Sequence, residues 1–178
     1  MENKPADTLL ITITGKDRVG VVSAVTSYLF ETGGNLADCA YAVLGEGFEF
    51  SCVAEFDADV TQEEIELGLS ENDLLSGAHI RVSRFPFQLM RGQTSEITHI
   101  VQITGGDRPG LVARLSEVLV EYDANIVRLS SRRAVGVEGF DYRTRFAVYI
   151  PPGRVKALEA ALYNTTGSMR LECQVSAV

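Results

Sequence analysis

The strongest constraint on this chain is that it contains itself twice. Residues 10–36 align with residues 100–126 at a constant shift of ninety positions, without gaps, and ten of the twenty-seven pairs are identical. The identities are Ile13/Ile103, Thr14/Thr104, Gly15/Gly105, Asp17/Asp107, Arg18/Arg108, Gly20/Gly110, Val22/Val112, Leu29/Leu119, Glu31/Glu121 and Asn35/Asn125. Ungapped self-similarity at a fixed period marks a duplicated folding unit. A chain of 178 residues with 46% hydrophobic residues can bury a core in each of two small domains. The expected division is a first domain over 1–85, a linker over 86–95 holding Pro86, Gly92, Thr94 and Ser95, and a second domain over 96–178.

Each copy opens on a short alternating run, Leu9, Ile11, Ile13 and Ile97, His99, Val101, Ile103, the period of a half-buried strand. A turn comes next, T-G-K-D-R-V-G in one copy and T-G-G-D-R-P-G in the other, where glycine and proline supply turn geometry and a helix start. Val22, Val25, Leu29 and Leu111, Leu115, Val118, Tyr122 then recur at helical spacing. Two strands joined by a glycine hairpin succeed the helix. Phe48, Phe50, Cys52, Ala54, Phe56 and Phe140, Tyr142, Thr144, Phe146, Val148, Ile150 alternate with mostly polar residues. A second helix near 61–75 and 153–165 and a last strand near 79–85 and 171–177 complete βαββαβ twice. This is an α+β fold of two ferredoxin-like units with antiparallel sheets.

The net charge of −8 and the pI near 4.8 oppose direct binding to nucleic acid or anionic lipid. No apolar run approaches a membrane span, and the start, M-E-N-K-P-A-D, lacks the basic and apolar regions of a signal peptide, so a cytoplasmic location is expected. Cys39, Cys52 and Cys173 show no C-x-x-C spacing and read as reduced core thiols. His79 and His99 stand alone in strands, and neither a metal nor a cofactor is expected.

Two motifs suggest chemistry and fail on inspection. Asp57-x-Asp59-x-Thr61 matches the signature of aspartyl phosphatases, but the downstream segment is another βαββαβ unit and not the α/β core that would hold magnesium and phosphate; Thr61-x-x-Glu64 reads as a capping box. Gly47-Phe48-Glu49-Phe50 and Gly139-Phe140-Asp141-Tyr142 echo an RNA-stacking motif, yet Glu46, Glu49, Glu138 and Asp141 would repel phosphate. Arg128, Arg132, Arg133, Arg143 and Arg145 form a basic cluster in the second copy. It reads as a solvated face or as a docking patch for an acidic partner.

Strand, then D-R-x-G opening a helix, then Gly-x-Asn-Leu or Ala-Asn-Ile opening the second strand, twice over, resembles the ACT domain, a small module that senses amino acids. The hairpin L-G-E-G-F at Leu44 to Phe48 is similar to that of free-standing double-ACT regulators of the glycine-cleavage-repressor family. Pro151-Pro152-Gly153 is similar to the amino-terminal ACT pair of some phosphoserine phosphatases. The resemblance implies a non-catalytic regulator that binds a small amino acid, glycine or serine first, and acts through a protein partner, a transcription factor or a metabolic enzyme on another chain. It also implies pairing of ACT units, within the chain or in a homodimer. The site would use the first loop of one unit, Gly15, Asp17, Arg18 and Gly20 or Gly105, Asp107, Arg108 and Gly110, with Asn125 or Asn35 from the other. Helix N-terminal N–H groups suit a carboxylate, and Asp17 or Asp107 an ammonium. The same residues also suit plain structural work, the aspartates as helix N-caps and the asparagines as left-handed residues after a helix.

Overall fold

The computed structural model describes residues 7–57, 60–106, 108–136 and 139–178, with the side chains of residues 7, 134–136, 139 and 140 left aside. The chain divides into two compact units that meet between Leu89 and Met90. The first contains strands β1 (Asp7–Lys16), β2 (Gly34–Leu44), β3 (Gly47–Phe56) and β4 (His79–Arg84) with helices α1 (Val21–Glu31) and α2 (Gln62–Ser70). The second contains β5 (His99–Gly106), β6 (Asn125–Gly136), β7 (Gly139–Tyr149) and β8 (Glu172–Ala177) with α3 (Leu111–Glu121) and α4 (Val155–Ser168).

Both sheets are antiparallel, in the orders β2-β3-β1-β4 and β6-β7-β5-β8, so each unit is the expected ferredoxin-like βαββαβ. Strand alternation creates one apolar face per sheet: Phe48, Phe50, Cys52, Ala54 and Phe56 of β3 are all buried, against α1 residues Val21, Val25 and Leu29 and α2 residues Ile65 and Leu69. The second core repeats this with Phe146, Val148 and Ile150 against Leu111, Leu115, Leu119, Leu158 and Leu162. The aromatic residues of β3 therefore fill a core and do not form a stacking platform. Ile13 pairs with Phe50, and its duplicate Ile103 pairs with Thr144, which fixes the structural equivalences beyond the region of sequence identity. Even the register shift in the second strand is shared, between Leu36 and Asp38 and between Ile126 and Arg128.

The expected helix over 61–75 is shorter. It ends at Ser70, and a separate 3-10 turn spans Asp73–Leu75, capped by the Asn72 side chain. Thr61 does form the capping box: its hydroxyl accepts from the Glu64 N–H at 3.2 Å while the Glu64 carboxylate accepts from the Thr61 N–H at 2.8 Å. Those hydrogen bonds hold the Glu64 carboxyl below its ordinary range. Asp59 lies outside the described residues. Cys39 departs from expectation, since it is exposed; β2 is an edge strand and the helices do not reach its middle. Cys52 opposite it is buried, and burial pushes its thiol up to about 12. No helix among the described residues is long and apolar enough to cross a membrane.

Candidate functional site

In the first unit β1 runs on through Gly15 and Lys16, so the turn before α1 is only Asp17 to Gly20. Gly15 is thus a strand residue. A Cβ there would lie 3.0 Å from both Ala78 Cβ and Phe48 Cε1, so its missing side chain makes room for packing. The N-cap of α1 is Gly20, in the left-handed region at φ 97°, and Asp17 is not a cap. Its carboxylate instead accepts a 2.6 Å hydrogen bond from the Tyr41 hydroxyl of β2, and its N–H donates to the Glu46 carbonyl at 2.9 Å. The Tyr41 ring stacks on Phe48 with centroids 5.8 Å apart, which fixes the hydroxyl. The bond to Asp17, then burial, then the aspartate charge raise the Tyr41 pKa above its ordinary value. Arg18 turns the other way, its Nη1 donating to the Asp73 carbonyl at 3.1 Å.

Residues 17–23, Tyr41 and Val43 line an open concavity of about 410 Å³. Its chemistry is two-sided. The first turn of α1 leaves N–H groups without helical acceptors, suited to an anion, while the Asp17 carboxylate offers lone pairs to a cation.

The corresponding turn of the second unit is different. Asp107 lies outside the described residues. Gly105 sits in β5 at φ 147°, where a Cβ would come within 2.6 Å of Leu171 Cδ2, so it too serves packing, and Gly110 caps α3 at φ 81°. Arg108 and Pro109 join Arg114 and the end of α4, Ser168, Met169 and Arg170, around an open concavity of about 390 Å³. Three guanidinium groups make it anion-selective. The position of Tyr41 is taken by Ser131, which shares a 2.7 Å hydrogen bond with the fully buried Thr144, the counterpart of Phe50.

Asn35 and Asn125 lie at the start of their strands, opposite Glu55 and Tyr149, and are not left-handed; Gly33 at φ 84° and Asp123 at φ 58° take that conformation. Glu55 also pairs with Thr8, nine residues before Asp17, so at about 3.3 Å per residue Asn35 stands roughly 30 Å from the turn within its own unit. The first unit thus gathers its own D-R-x-G turn but not its own asparagine. Asn125 has a structural bond, Nδ2 donating to the Thr94 carbonyl at 2.8 Å. Tyr41, Arg114 and Arg170 escaped the sequence reading. Tyr41 carried one signal, its alternation on β2, whereas Arg170 becomes relevant only once α4 is packed beside α3.

A four-stranded antiparallel sheet in the order 2-3-1-4, two helices on one face, and a glycine-capped turn at the head of the first helix define a ferredoxin-like module. The chain belongs to the ACT domain family, whose model matches residues 7–83 and 98–132. It is 31% identical over 127 residues to the glycine cleavage system transcriptional repressor of Escherichia coli strain K12, and equally to that of Shigella flexneri; the match takes in 70% of this chain and 64% of the repressor. Two crystal structures share the fold. One, of an unknown protein from Galdieria sulphuraria, has a TM-score of 0.75 at 22% identity over 97% of this chain and 99% of that one. The other, provisionally assigned as a glycine cleavage system transcriptional repressor, has a TM-score of 0.63 at 14% identity over 97% and 98%.

Proposed function

We propose that this chain is a non-catalytic amino-acid-sensing regulator, similar in role to the glycine cleavage system transcriptional repressor, and that it acts in the cytoplasm through a partner protein. The observation that carries the reading is the Asp17 carboxylate held by Tyr41 beside the head of α1 in a concavity of about 410 Å³. A small amino acid presents a carboxylate and an ammonium a few bonds apart, and this turn presents the two complements. Asp17 receives the ammonium, while Gly20 and the first turn of α1 receive the carboxylate. Glycine and serine are the first candidates, as the similarity to the glycine cleavage system transcriptional repressor suggests. In the second unit Gly110 and Arg108 act on an anionic group. Asn35 and Asn125 complete sites through pairing of units. A net charge of −8 favours a protein partner over direct contact with DNA.

The test is a thermal-shift panel of the twenty amino acids on the full chain. A ligand at about 100 times its dissociation constant stabilises the native state by about 2.7 kcal/mol, a rise of several degrees. A rise confined to small amino acids supports the reading. A flat panel, with affinity capture recovering a biosynthetic enzyme instead of a transcription factor, favours an assembly module for that enzyme.

A further inference from the structure

The two units differ at every position that puts an arginine beside the head of α3. In the first unit the turn arginine, Arg18, is engaged, its Nη1 donating to the Asp73 carbonyl of the 3-10 turn. Among the described residues the second unit has no 3-10 turn between α4 and β8, and Arg108, the duplicate of Arg18, makes no ion pair or side-chain hydrogen bond. Arg114 stands on α3 where the ninety-residue shift places Ala24 on α1.

Arg170 stands where the first unit has a glycine. Thr14 lies opposite His79 and Thr104 opposite Glu172, and a Cβ on Gly15 would meet Ala78 as one on Gly105 would meet Leu171, so the residues one step earlier, Gly77 and Arg170, are equivalent. Both are left-handed, Gly77 at φ 77° and Arg170 at φ 58°. Glycine adopts that conformation freely, whereas the arginine Cβ crowds the following carbonyl oxygen. The backbone task here is to close the end of α4, the Arg170 N–H donating to the Gly167 carbonyl at 3.0 Å, and glycine would do it with less strain. A strained side chain of this kind is explained by what it reaches. Among the described residues neither Arg170 nor Arg114 reaches an ion-pair or side-chain hydrogen-bond partner.

What Arg170 does reach is the open concavity of about 390 Å³ that it lines together with Arg108 and Arg114, with no carboxylate among the lining residues. Three like charges around one concavity repel one another, and an anion between them relieves the repulsion. Their number selects the anion. A carboxylate has two oxygens and one negative charge, whereas a terminal phosphoryl group has three oxygens, one for each guanidinium, and about 1.5 to 2 negative charges at pH 7.

We propose that the second unit binds the phosphoryl group of a small phosphorylated molecule between Arg108, Arg114 and Arg170. This rests on the reading that the second turn acts on an anionic group, and it gives that group a chemical class. The volume suits a small molecule, since such sites span about 300–1,000 Å³. The first unit has no equivalent site: Ala24 and Gly77 leave its turn with Arg18 alone, already bonded to Asp73.

Calorimetric titration of inorganic phosphate into the full chain tests this, in a phosphate-free buffer at pH 7 and about 0.15 M ionic strength, where a screening length of about 8 Å weakens loose ion pairing. Saturable binding is expected, with malonate, a dicarboxylate, at least about tenfold weaker. Arg114→Ala and Arg170→Gly should each weaken phosphate binding at least about tenfold through loss of a charge-assisted contact. Arg128→Gln, on β6, should change it less than about twofold. Arg170→Gly also separates ligand binding from folding. Without phosphate it should melt at or above the wild-type temperature, because glycine suits the left-handed turn, and it should lose the rise that phosphate gives wild type. A melt below wild type would make Arg170 a structural residue and overturn the proposal, as would phosphate binding that survives both substitutions. Malonate binding through the same arginines with phosphate inert would overturn the phosphoryl assignment and leave the anionic reading of the turn standing; a chain that binds neither anion overturns both.

Discussion

The two units are one backbone carrying two chemistries. Strand order, the register shift in the second strand and the left-handed glycine at the head of the first helix are the same in both. What differs is the end of the sheet beside that helix. In the first unit Phe50 fills the core below, Phe48 supports Tyr41, and Tyr41 holds Asp17. In the second, Thr144 and Ser131 replace Phe50 and Tyr41 and bond to each other, and the concavity is ringed by Arg108, Arg114 and Arg170. Duplication has kept strand order and the left-handed glycine and has changed the side chains around the concavity, down to the buried Phe50 and Thr144 beneath it.

The largest expected difference between the units lies at Phe50 and Thr144. Phe50→Ala removes a buried ring and should cost about 3–5 kcal/mol, whereas Thr144→Ala forfeits one methyl group and one hydrogen bond, about 1–2 kcal/mol. Urea unfolding of both variants checks this. Equal losses would mean that the two cores are not built around these positions.

A smaller contrast separates the two strand glycines. Gly105→Ala combines a positive φ with a Cβ placed 2.6 Å from Leu171, and should cost about 2–4 kcal/mol. Gly15→Ala has no such φ and meets its neighbours at 3.0 Å, so about 1–2 kcal/mol is expected. Thermal melts rank the pair, and the reverse order would contradict the packing described for β1 and β5.

The smallest effect is the cap that only one unit has. Thr61 and Glu64 close α2, while α4 begins at Arg154 without a side-chain cap. Thr61→Ala should cost about 1 kcal/mol near neutral pH. Because folding lowers the Glu64 pKa, the folded state binds its proton less tightly. The contribution of the Glu64 carboxylate is therefore full above the ordinary glutamate value of 4.5 and is lost as pH falls through the lowered one. A difference between wild type and Glu64→Ala that persists undiminished at pH 2 would contradict the carboxylate half of the capping box.

Much of this was readable before the fold. The alternation of Phe48 to Phe56, the helical spacing of Val25 and Leu29, and the Thr61-x-x-Glu64 cap depend on neighbours a few residues away, and local periodicity reports such neighbours. The roles of Gly15 and Gly105 depend on Ala78 and Leu171, more than sixty residues distant, so the glycines read as loop residues when they are packing residues. Asp17 read as a cap for the same reason: its partner Tyr41 reaches it across the sheet, and Gly20 had already taken the cap by backbone conformation. Cys39 followed the strand pattern faithfully, yet only the sheet order shows that its strand is an edge.

The most direct test of the account is calorimetric titration of glycine and serine into the full chain, the Asp17→Asn chain and the Arg108→Gln chain. The two-sided turn of the first unit predicts saturable binding to wild type that Asp17→Asn weakens by at least about tenfold, the loss of a charge-assisted contact worth about 1.5–3 kcal/mol, and that Arg108→Gln leaves within about twofold. Binding that survives Asp17→Asn unchanged, or that Arg108→Gln abolishes, would contradict the assignment of the amino acid to the Asp17 turn.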